Sequence, residues 1–149
     1  SLGTLWLSTT SGASWSNIYP GGVISTIAGY THCCNALGNV IFASYGLNGS
    51  ARLGRLYVST DYGGTWTETQ PAGNVTRRWR YLSIDGTGLN LVAVSTTSPE
   101  TLYMSHDGGL IWEAQTLPGI VGGVQGNISS NSDGTVVVIP YADALFIYR

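Results

Sequence analysis

The sequence predicts an all-β fold built from repeated antiparallel sheets. An eight-residue phrase that runs from a serine to a tryptophan occurs three times, at residues 8–15, 59–66 and 105–112. A short alternating segment precedes every copy, so each phrase is predicted to form the turn of a β-hairpin. These segments begin at Leu5, Leu56 and Leu102, and a fourth begins at Leu145. Their spacings of 51, 46 and 43 residues indicate one structural unit repeated along the chain.

Each phrase combines residues that favour a tight turn. The middle copy has Ser59, Asp61, Gly63, Thr65 and Trp66 at its defining positions. The other two copies keep most of these positions: Ser105, Asp107, Gly109 and Trp112, with Ile111 for threonine, and Ser8, Gly12 and Trp15, with Thr10 for aspartate. A short Asp side chain accepts hydrogen bonds from nearby backbone N–H groups, and glycine supplies the left-handed conformation. The tryptophan then begins the next strand and is expected to pack inward.

The pattern S-x-D-x-G-x-T-W resembles the Asp-box (BNR) repeat of sialidases and related β-propellers. The resemblance implies a β-propeller-like array of about three four-stranded blades with Asp-box hairpins. We expect residues 1–149 to form one such domain, with repeats that begin near Leu5, Leu56 and Leu102 and a partial fourth at Leu145. The leucine spacings are near the one-blade period of propeller repeats.

Two further strands are predicted upstream of each hairpin. A glycine-containing turn leads into a continuous apolar run, which is typical of a strand buried on both faces. These runs are 40–43, 91–94 and 136–139. Shorter segments ahead of the turns, Tyr30 to Cys34, Trp79 to Ile84 and Gly126 to Ser130, are interpreted as the innermost strands of the blades. Counting along the chain predicts sheets of two, four, four and three strands.

Thirteen strands do not make a whole number of four-stranded blades. Propellers protect their sheet edges by closing a ring of about four to eight blades. We therefore expect an incomplete ring within one chain, which assembles with copies of itself, docks on another chain or belongs to a longer polypeptide. The start at Ser1 without an initiator Met, and an end on a strand, favour processing or excision.

Composition excludes several function classes. Only 9% of the residues are charged, against a usual share of about 25%, and lysine is absent. A net charge of −2 gives no basic footprint for nucleic acid. No apolar run approaches the ~20 residues that span a bilayer. Phosphate-binding glycine loops, His-based nucleophile systems and metal-ligand spacings are also missing. We expect no nucleic-acid partner, membrane insertion, cofactor or metal.

The sialidase resemblance also implies arginines that bind an acidic substrate, and a Tyr nucleophile assisted by a Glu. In that family the arginines come from different blades, whereas Arg77, Arg78 and Arg80 lie in one stretch of this chain. The Asp-box itself lies at the blade periphery, away from catalysis. We therefore expect no enzyme activity and no catalytic residues. The cluster is either an exposed connection whose arginines stack on Trp79 and Tyr81, or a site for an anion or acidic sugar.

Sequons and cysteines bear on the compartment. Three sequons, at Asn48, Asn74 and Asn127, are candidate glycan attachment sites and favour an extracellular or cell-surface protein. Cys33 and Cys34 are adjacent on a predicted strand and point to opposite faces, which disfavours a disulfide between them. Buried unpaired thiols are the preferred interpretation, and intermolecular bridging is the alternative.

Two function classes follow from these features. The first is a non-catalytic extracellular scaffold that self-assembles or docks through its incomplete blade ends. The second is a glycan-binding lectin with pockets between blades. In a lectin, Tyr62 and Tyr141, which fall outside the repeated aromatic positions, and the three clustered arginines would contact the sugar. A fragment of a sialidase-like glycosidase is the remote alternative.

Overall fold

The computed structural model describes residues 5–22, 27–47, 53–115, 124, 126–141 and 145–148. These residues form thirteen strands. In chain order they are β1 Leu5–Leu7, β2 Ser16–Ile18, β3 Ile27–Cys34, β4 Ile41–Leu47, β5 Gly54–Ser59, β6 Thr67–Thr69, β7 Trp79–Ile84, β8 Leu91–Ser95, β9 Thr101–Ser105, β10 Glu113–Gln115, β11 Ser129–Ser130, β12 Val137–Pro140 and β13 Leu145–Tyr148. Within the described ranges there is no helix long and apolar enough to cross a membrane.

The strands form four antiparallel sheets whose order follows the chain. The first sheet is β1-β2, the second β3-β4-β5-β6, the third β7-β8-β9-β10 and the fourth β11-β12-β13. This arrangement confirms the predicted division into two, four, four and three strands and the predicted strand order. The inner strand of the second sheet is longer than predicted, because its ladder continues back to Ile27. That of the fourth sheet is limited to Ser129–Ser130.

Two apolar cores join neighbouring sheets. Between the second and third sheets, Phe42, Leu56 and Val58 share a core with Leu91 and Tyr103. Between the third and fourth sheets, side chains of the opposite face of the third sheet pack with those of the fourth; they include Val92, Val94, Leu102, Met104, Val137 and Ile139. The middle strand β8 is buried along its whole length, as its continuous apolar run predicts. The four sheets formed by the described residues do not close into a ring.

Candidate functional site

The three octapeptide turns share one hydrogen-bond pattern. In each, the Oγ of the first serine accepts the N–H of the glycine four residues later, at 2.8 Å for Gly12 and Gly63 and 2.9 Å for Gly109. The third residue accepts the N–H four positions on, with distances of 2.9 Å from Ser14 to Thr10, 2.8 Å from Thr65 to Asp61 and 3.0 Å from Ile111 to Asp107. The Thr10 hydroxyl therefore replaces the carboxylate of the other two turns.

The tryptophan at the end of each turn is hydrogen-bonded to the backbone of that turn. The indole Nε1 of Trp15, Trp66 and Trp112 donates to the carbonyl of the turn glycine, at 3.2, 3.1 and 3.0 Å. Threonine at the seventh position adds one bond, since Thr65 Oγ1 donates to Asp61 Oδ2 at 2.7 Å. Ile111 cannot make this bond, yet the third turn keeps the rest of the pattern. The hydrogen bonds between side chains and the backbone are therefore sufficient to form this turn without the threonine hydroxyl.

Hydrogen bonds hold several carboxyl pKa values below their usual range. The Thr65 N–H and the hydroxyls of Thr65 and Ser59 lower the pKa of Asp61 to about 2. The N–H of Ile111, followed by the Ser105 hydroxyl, lowers the pKa of Asp107. Burial raises the pKa of Asp85, but hydrogen bonds from Asn90, Thr87 and Gly88 together outweigh it and leave it lowered.

We expect acid to destabilise the protein between about pH 4 and about pH 2. The pKa of each of these carboxyls is lower in the folded chain than the value of about 3.9 expected for an unfolded Asp. Their stabilisation is therefore present above that value and is lost as the pH falls through the folded pKa. Thermal melts monitored by circular dichroism over pH 2–7 test this. Asp61→Asn should lose less stability on acidification than the wild type, and parallel curves would contradict the role of Asp61.

A second recurrent turn joins the first two strands of the second, third and fourth sheets. Its first residue is Asn35, Asp85 or Asn131, whose N–H donates to the carbonyl five residues later at 3.0 Å in all three turns. The side-chain oxygen of that residue accepts the returning N–H, at 3.1, 3.2 and 2.8 Å. A glycine three positions on, Gly38, Gly88 or Gly134, has φ of 73°, 87° or 72°.

This turn corrects an alignment that the sequence favours. The Asp-Gly pairs at 85–86 and 133–134 look equivalent, but Asp85 corresponds to Asn131, and Asp133 lies two positions further on. Asn or Asp followed three residues later by Gly is the signal that identifies the turn. Consecutive turns are also linked, since Ala36 N–H donates to the Gly86 carbonyl at 3.4 Å and Gly86 N–H donates to the Ser132 carbonyl at 2.9 Å.

The outer face of the first sheet exposes two tryptophans at repeated positions. Trp6 and Trp15, which we call the head face, are 57% and 58% exposed. Their counterparts in the third sheet are Tyr103, which is 6% exposed, and Trp112, whose ring lies 5.8 Å from that of Phe42. Trp112 also donates to Thr69 Oγ1 at 2.6 Å. The head face therefore corresponds to the surface of the third sheet that the second sheet covers.

The outer face of the fourth sheet exposes aliphatic side chains. Leu145 and Ile147, which we call the tail face, are 60% and 50% exposed. Their counterparts in the second sheet, Leu56 and Val58, are 1% and 7% exposed. Leu56 and Val58 share a core with Tyr103, and Trp112 packs against it. The tail face therefore corresponds to the second-sheet side of the contact between the second and third sheets, and the head face corresponds to the third-sheet side.

Comparison with known proteins places this arrangement among solved folds. No protein-family model matches the sequence, and no curated protein matches it at a significant level. Several solved structures match the fold of this chain. The GH74 enzyme of Niastella koreensis matches with a TM-score of 0.70 and 17% identity, over 95% of this chain and 24% of that one. The GH74 xyloglucanase of Xanthomonas campestris matches with a TM-score of 0.65 and 19% identity, over 92% and 22%. YCF48 bound to D1 peptide matches with a TM-score of 0.59 and 14% identity, over 86% and 42%.

The fold is a β-propeller with an open ring. Identities of this size establish the fold alone, and this chain spans about a quarter of the two GH74 proteins and less than half of YCF48. The four sheets are the blades of this propeller. The first and last blades of the described chain have two and three strands.

Two clefts of about 410 Å³ each lie between blades. The cleft between the first and second blades is apolar and includes Leu5, Leu7, Ile18 and Trp66, with His32 and Cys34; Trp6 also contributes to its lining. Ile18, which pairs with Leu5, is the counterpart in the first blade of Thr69, which pairs with Leu56 and accepts the Trp112 hydrogen bond. The cleft between the second and third blades is more polar and includes Thr60, Thr65, Thr67, Glu68 and Gln70.

The arginine cluster lies where the second and third blades meet. Arg77 pairs through its backbone with Gly54, at 2.9 and 3.0 Å, and is partly buried. Arg78, also partly buried, accepts at its carbonyl the N–H of Thr96. Arg80 is exposed, and its guanidinium lies 5.5 Å from the centre of the Tyr81 ring. Of the expected contacts of these arginines with Trp79 and Tyr81, the described residues show this one, between Arg80 and Tyr81.

The two candidate tyrosines lie in different surroundings. Tyr62 is 55% exposed at the tip of the second octapeptide turn, with a φ of 58°. Tyr141 is only 9% exposed and packs in the core between the third and fourth blades. Burial, followed by the charge of Glu100, raises its pKa. Tyr62 is therefore exposed at the surface, whereas Tyr141 is buried.

The acidic side chains in the described ranges are largely engaged in structure. Glu68 forms an ion pair with Arg55 at 2.5 Å and also accepts from Gln70. Glu100 accepts the N–H of Val124 through both carboxylate oxygens, at 3.3 and 3.2 Å. No group of three or more His, Cys, Asp or Glu side chains in the described residues could hold a metal ion.

Two of the three sequons lie within the described residues. Asn74 and Asn127 are exposed. Asn74 Oδ1 accepts from Arg55 Nη1 at 2.8 Å, which leaves its amide nitrogen available for glycan attachment. Asn48 lies outside the described residues.

The two cysteines differ in exposure. Cys33 packs against the core between the second and third blades, whereas Cys34 is exposed on the opposite face. Both are unpaired. The expectation that both are buried is therefore wrong for Cys34, and Cys33 is partly buried. Burial, together with the neighbouring Cys34, raises the pKa of the Cys33 thiol to about 12.

We expect one fast-reacting thiol in the native protein. The thiolate is the reactive form, and a pKa of about 12 keeps Cys33 protonated and inert at pH 8. Titration with a chromogenic disulfide should consume one equivalent quickly and the second only after denaturation. Cys34→Ser should abolish the fast phase, and a fast phase that persists would contradict the assignment.

Proposed function

We propose that this chain is a non-catalytic interaction module that self-assembles, or docks on another chain, through the outer faces of its first and last blades. The observation that carries the proposal is the exposure of Trp6, Trp15, Leu145 and Ile147, between 50% and 60%. Residues at the same repeated positions are buried or partly buried where another blade covers them. Large exposed aromatic and aliphatic side chains on a rigid sheet are typical of an interface core.

Several observations support a binding role in preference to catalysis. Asp61 and Asp107 accept backbone N–H groups within the octapeptide turns. Glu68 pairs with Arg55, and Glu100 accepts the Val124 N–H. The clustered arginines come from one blade connection. Among proteins of the same fold, YCF48 has been solved with a bound peptide. The shared hydrogen bonds of the three turns also support their assignment as Asp-box repeats.

We also propose an extracellular or cell-surface location. Asn74 and Asn127 are exposed sequons, and a glycan on either would extend into solvent. Expression in a secreting eukaryotic host, followed by deglycosylation and mass measurement, tests this part of the proposal. An unchanged mass would argue against glycosylation at both positions.

Self-association is the direct test of the interaction module. The native mass of the 149-residue chain should rise with concentration above the 15.7 kDa of one chain, as measured by light scattering. Electron microscopy of the same sample would show whether the particles are closed. A mass that stays at one chain at every concentration would contradict self-assembly.

A glycan-binding lectin is the second candidate. The cleft of about 410 Å³ between the second and third blades supports it, because hydroxyl and amide groups of Thr60, Thr67 and Gln70 line it. The exposed Tyr62 ring offers a stacking surface on the same turn. A glycan array, followed by Tyr62→Ala and Thr67→Ala for any sugar that binds, tests this function. Silence across the array would remove it.

A further inference from the structure

We infer that the partner of the tail face is the head face of a second copy, and that two copies close one eight-blade ring. This inference rests on the proposed function, because it names the partner for the same surfaces.

The first step is complementarity. The tail face presents aliphatic side chains at the positions of Leu56 and Val58, and the head face presents aromatic side chains at the positions of Tyr103 and Trp112. Those four positions already meet inside the chain, between the second and third blades. A tail face on a head face therefore continues an interface that the molecule already contains. Neither face matches itself in this way, so the contact is head-to-tail.

The second step is charge. The strands that carry the two faces, Leu5–Leu7, Ser16–Ile18 and Leu145–Tyr148, contain no Asp, Glu, Lys or Arg. Docking one face on the other therefore buries no charged group of these strands. An apolar contact of this kind gains stability from the area removed from water without a desolvation cost for ions.

The third step is number. A head-to-tail contact leads to a closed ring when its rotation returns to the start, and to an open filament when it does not. The described residues of each copy form four sheets, of two, four, four and three strands, and known propellers have about four to eight blades. Counted as one blade for each sheet, two copies supply eight blades, whereas three would supply twelve and exceed that range. The ring should therefore be a dimer with two identical contacts.

Sedimentation velocity and native mass spectrometry of the 149-residue chain test the inference. We expect a monomer–dimer equilibrium and no larger species. Ile147→Asp on the tail face and Trp6→Lys on the head face should each weaken the dimer by roughly 100-fold or more, since each places a charge in the centre of an apolar contact. Leu37→Asp is the matched control: Leu37 is 76% exposed and lies on neither face, so its dimer should be unchanged.

Mixing the two variants gives a sharper result. An Ile147→Asp chain keeps an intact head face and a Trp6→Lys chain keeps an intact tail face, so a mixed ring has one wild-type contact and one Asp–Lys contact. The mixture should dimerise more tightly than either variant alone. Thermal melts of each variant at low concentration establish that the monomers remain folded, and Trp15→Ser serves as a second head-face variant.

The outcomes separate the inference from the proposed function. A dimer that only one of the two faces affects, or growth beyond the dimer that both faces affect, would overturn the eight-blade ring and leave the interaction module standing. A monomer at every concentration would overturn both. A dimer that both face variants weaken, that Leu37→Asp spares and that the mixture restores would support both.

Discussion

Replacing Leu56 by alanine is expected to lower the free energy of unfolding by about 2–5 kcal/mol. Leu56 is 1% exposed and lies in the core that joins the second and third blades. Removing its branched end leaves a cavity between two rigid sheets that cannot collapse fully. Leu102, at the same repeated position and 2% exposed, should show a loss of similar size through the other core. Urea unfolding monitored by tryptophan fluorescence measures both losses.

The control is the same substitution at the same repeated position. Leu145 is 60% exposed, so Leu145→Ala should change the stability of the monomer by less than about 0.5 kcal/mol. The measurement requires a concentration at which light scattering shows a monomer. Losses of equal size at Leu56 and Leu145 would contradict the conclusion that a neighbouring blade sets the burial of this position.

Replacing Asp85 by alanine is the second substitution with a large expected effect. Asp85 is 1% exposed, and its Oδ1 accepts the N–H groups of Gly88, Leu89 and Asn90 at 2.8, 3.1 and 3.2 Å. Gly88 is itself buried, so its N–H would be left without this acceptor. We expect a loss of about 1.5–3 kcal/mol in the free energy of unfolding, the usual range for hydrogen bonds to a charged group.

Asp85→Asn is the matched control. Asparagine occupies the corresponding first position of the other two turns, at Asn35 and Asn131, where its oxygen accepts the returning N–H. The variant keeps the shape and the Oδ1 acceptor, so it should lose clearly less stability than Asp85→Ala. An equal loss in the two variants would mean that the charge, and not the turn geometry, accounts for the stabilisation. Chemical denaturation at pH 7 distinguishes these results.

Local features of the fold could be predicted from the sequence with good accuracy. The octapeptide turns depend on hydrogen bonds between residues at most four positions apart, so Ser59, Asp61 and Gly63 suffice to define one. The strand count and the sheet order follow from where these turns divide the alternating segments. The equivalence of Asp85 and Asn131 is hard to recognise in the sequence, because the hydrogen bond that defines the turn closes over five residues and depends on the register of β7 with β8 and of β11 with β12.

The candidate site was less predictable. Tyr62 and Tyr141 both fall outside the repeated positions, yet one is exposed on a turn tip and the other is packed between blades. Cys33 and Cys34 are neighbours in the sequence, but only Cys33 packs against a core between blades, whereas Cys34 is exposed at the cleft between the first and second blades. These differences depend on which side of each sheet is covered.

The sequence by itself determined the repeated turns, the antiparallel strands and their order, because each rests on hydrogen bonds and side-chain alternation within a few residues. Tertiary structure alone decided which copies of a repeated residue are covered. Leu56 and Leu145 share one repeat position and similar local sequence, but they differ in exposure from 1% to 60%. The physical reason is that burial requires two facing sheets, and none of the described sheets covers the head face or the tail face.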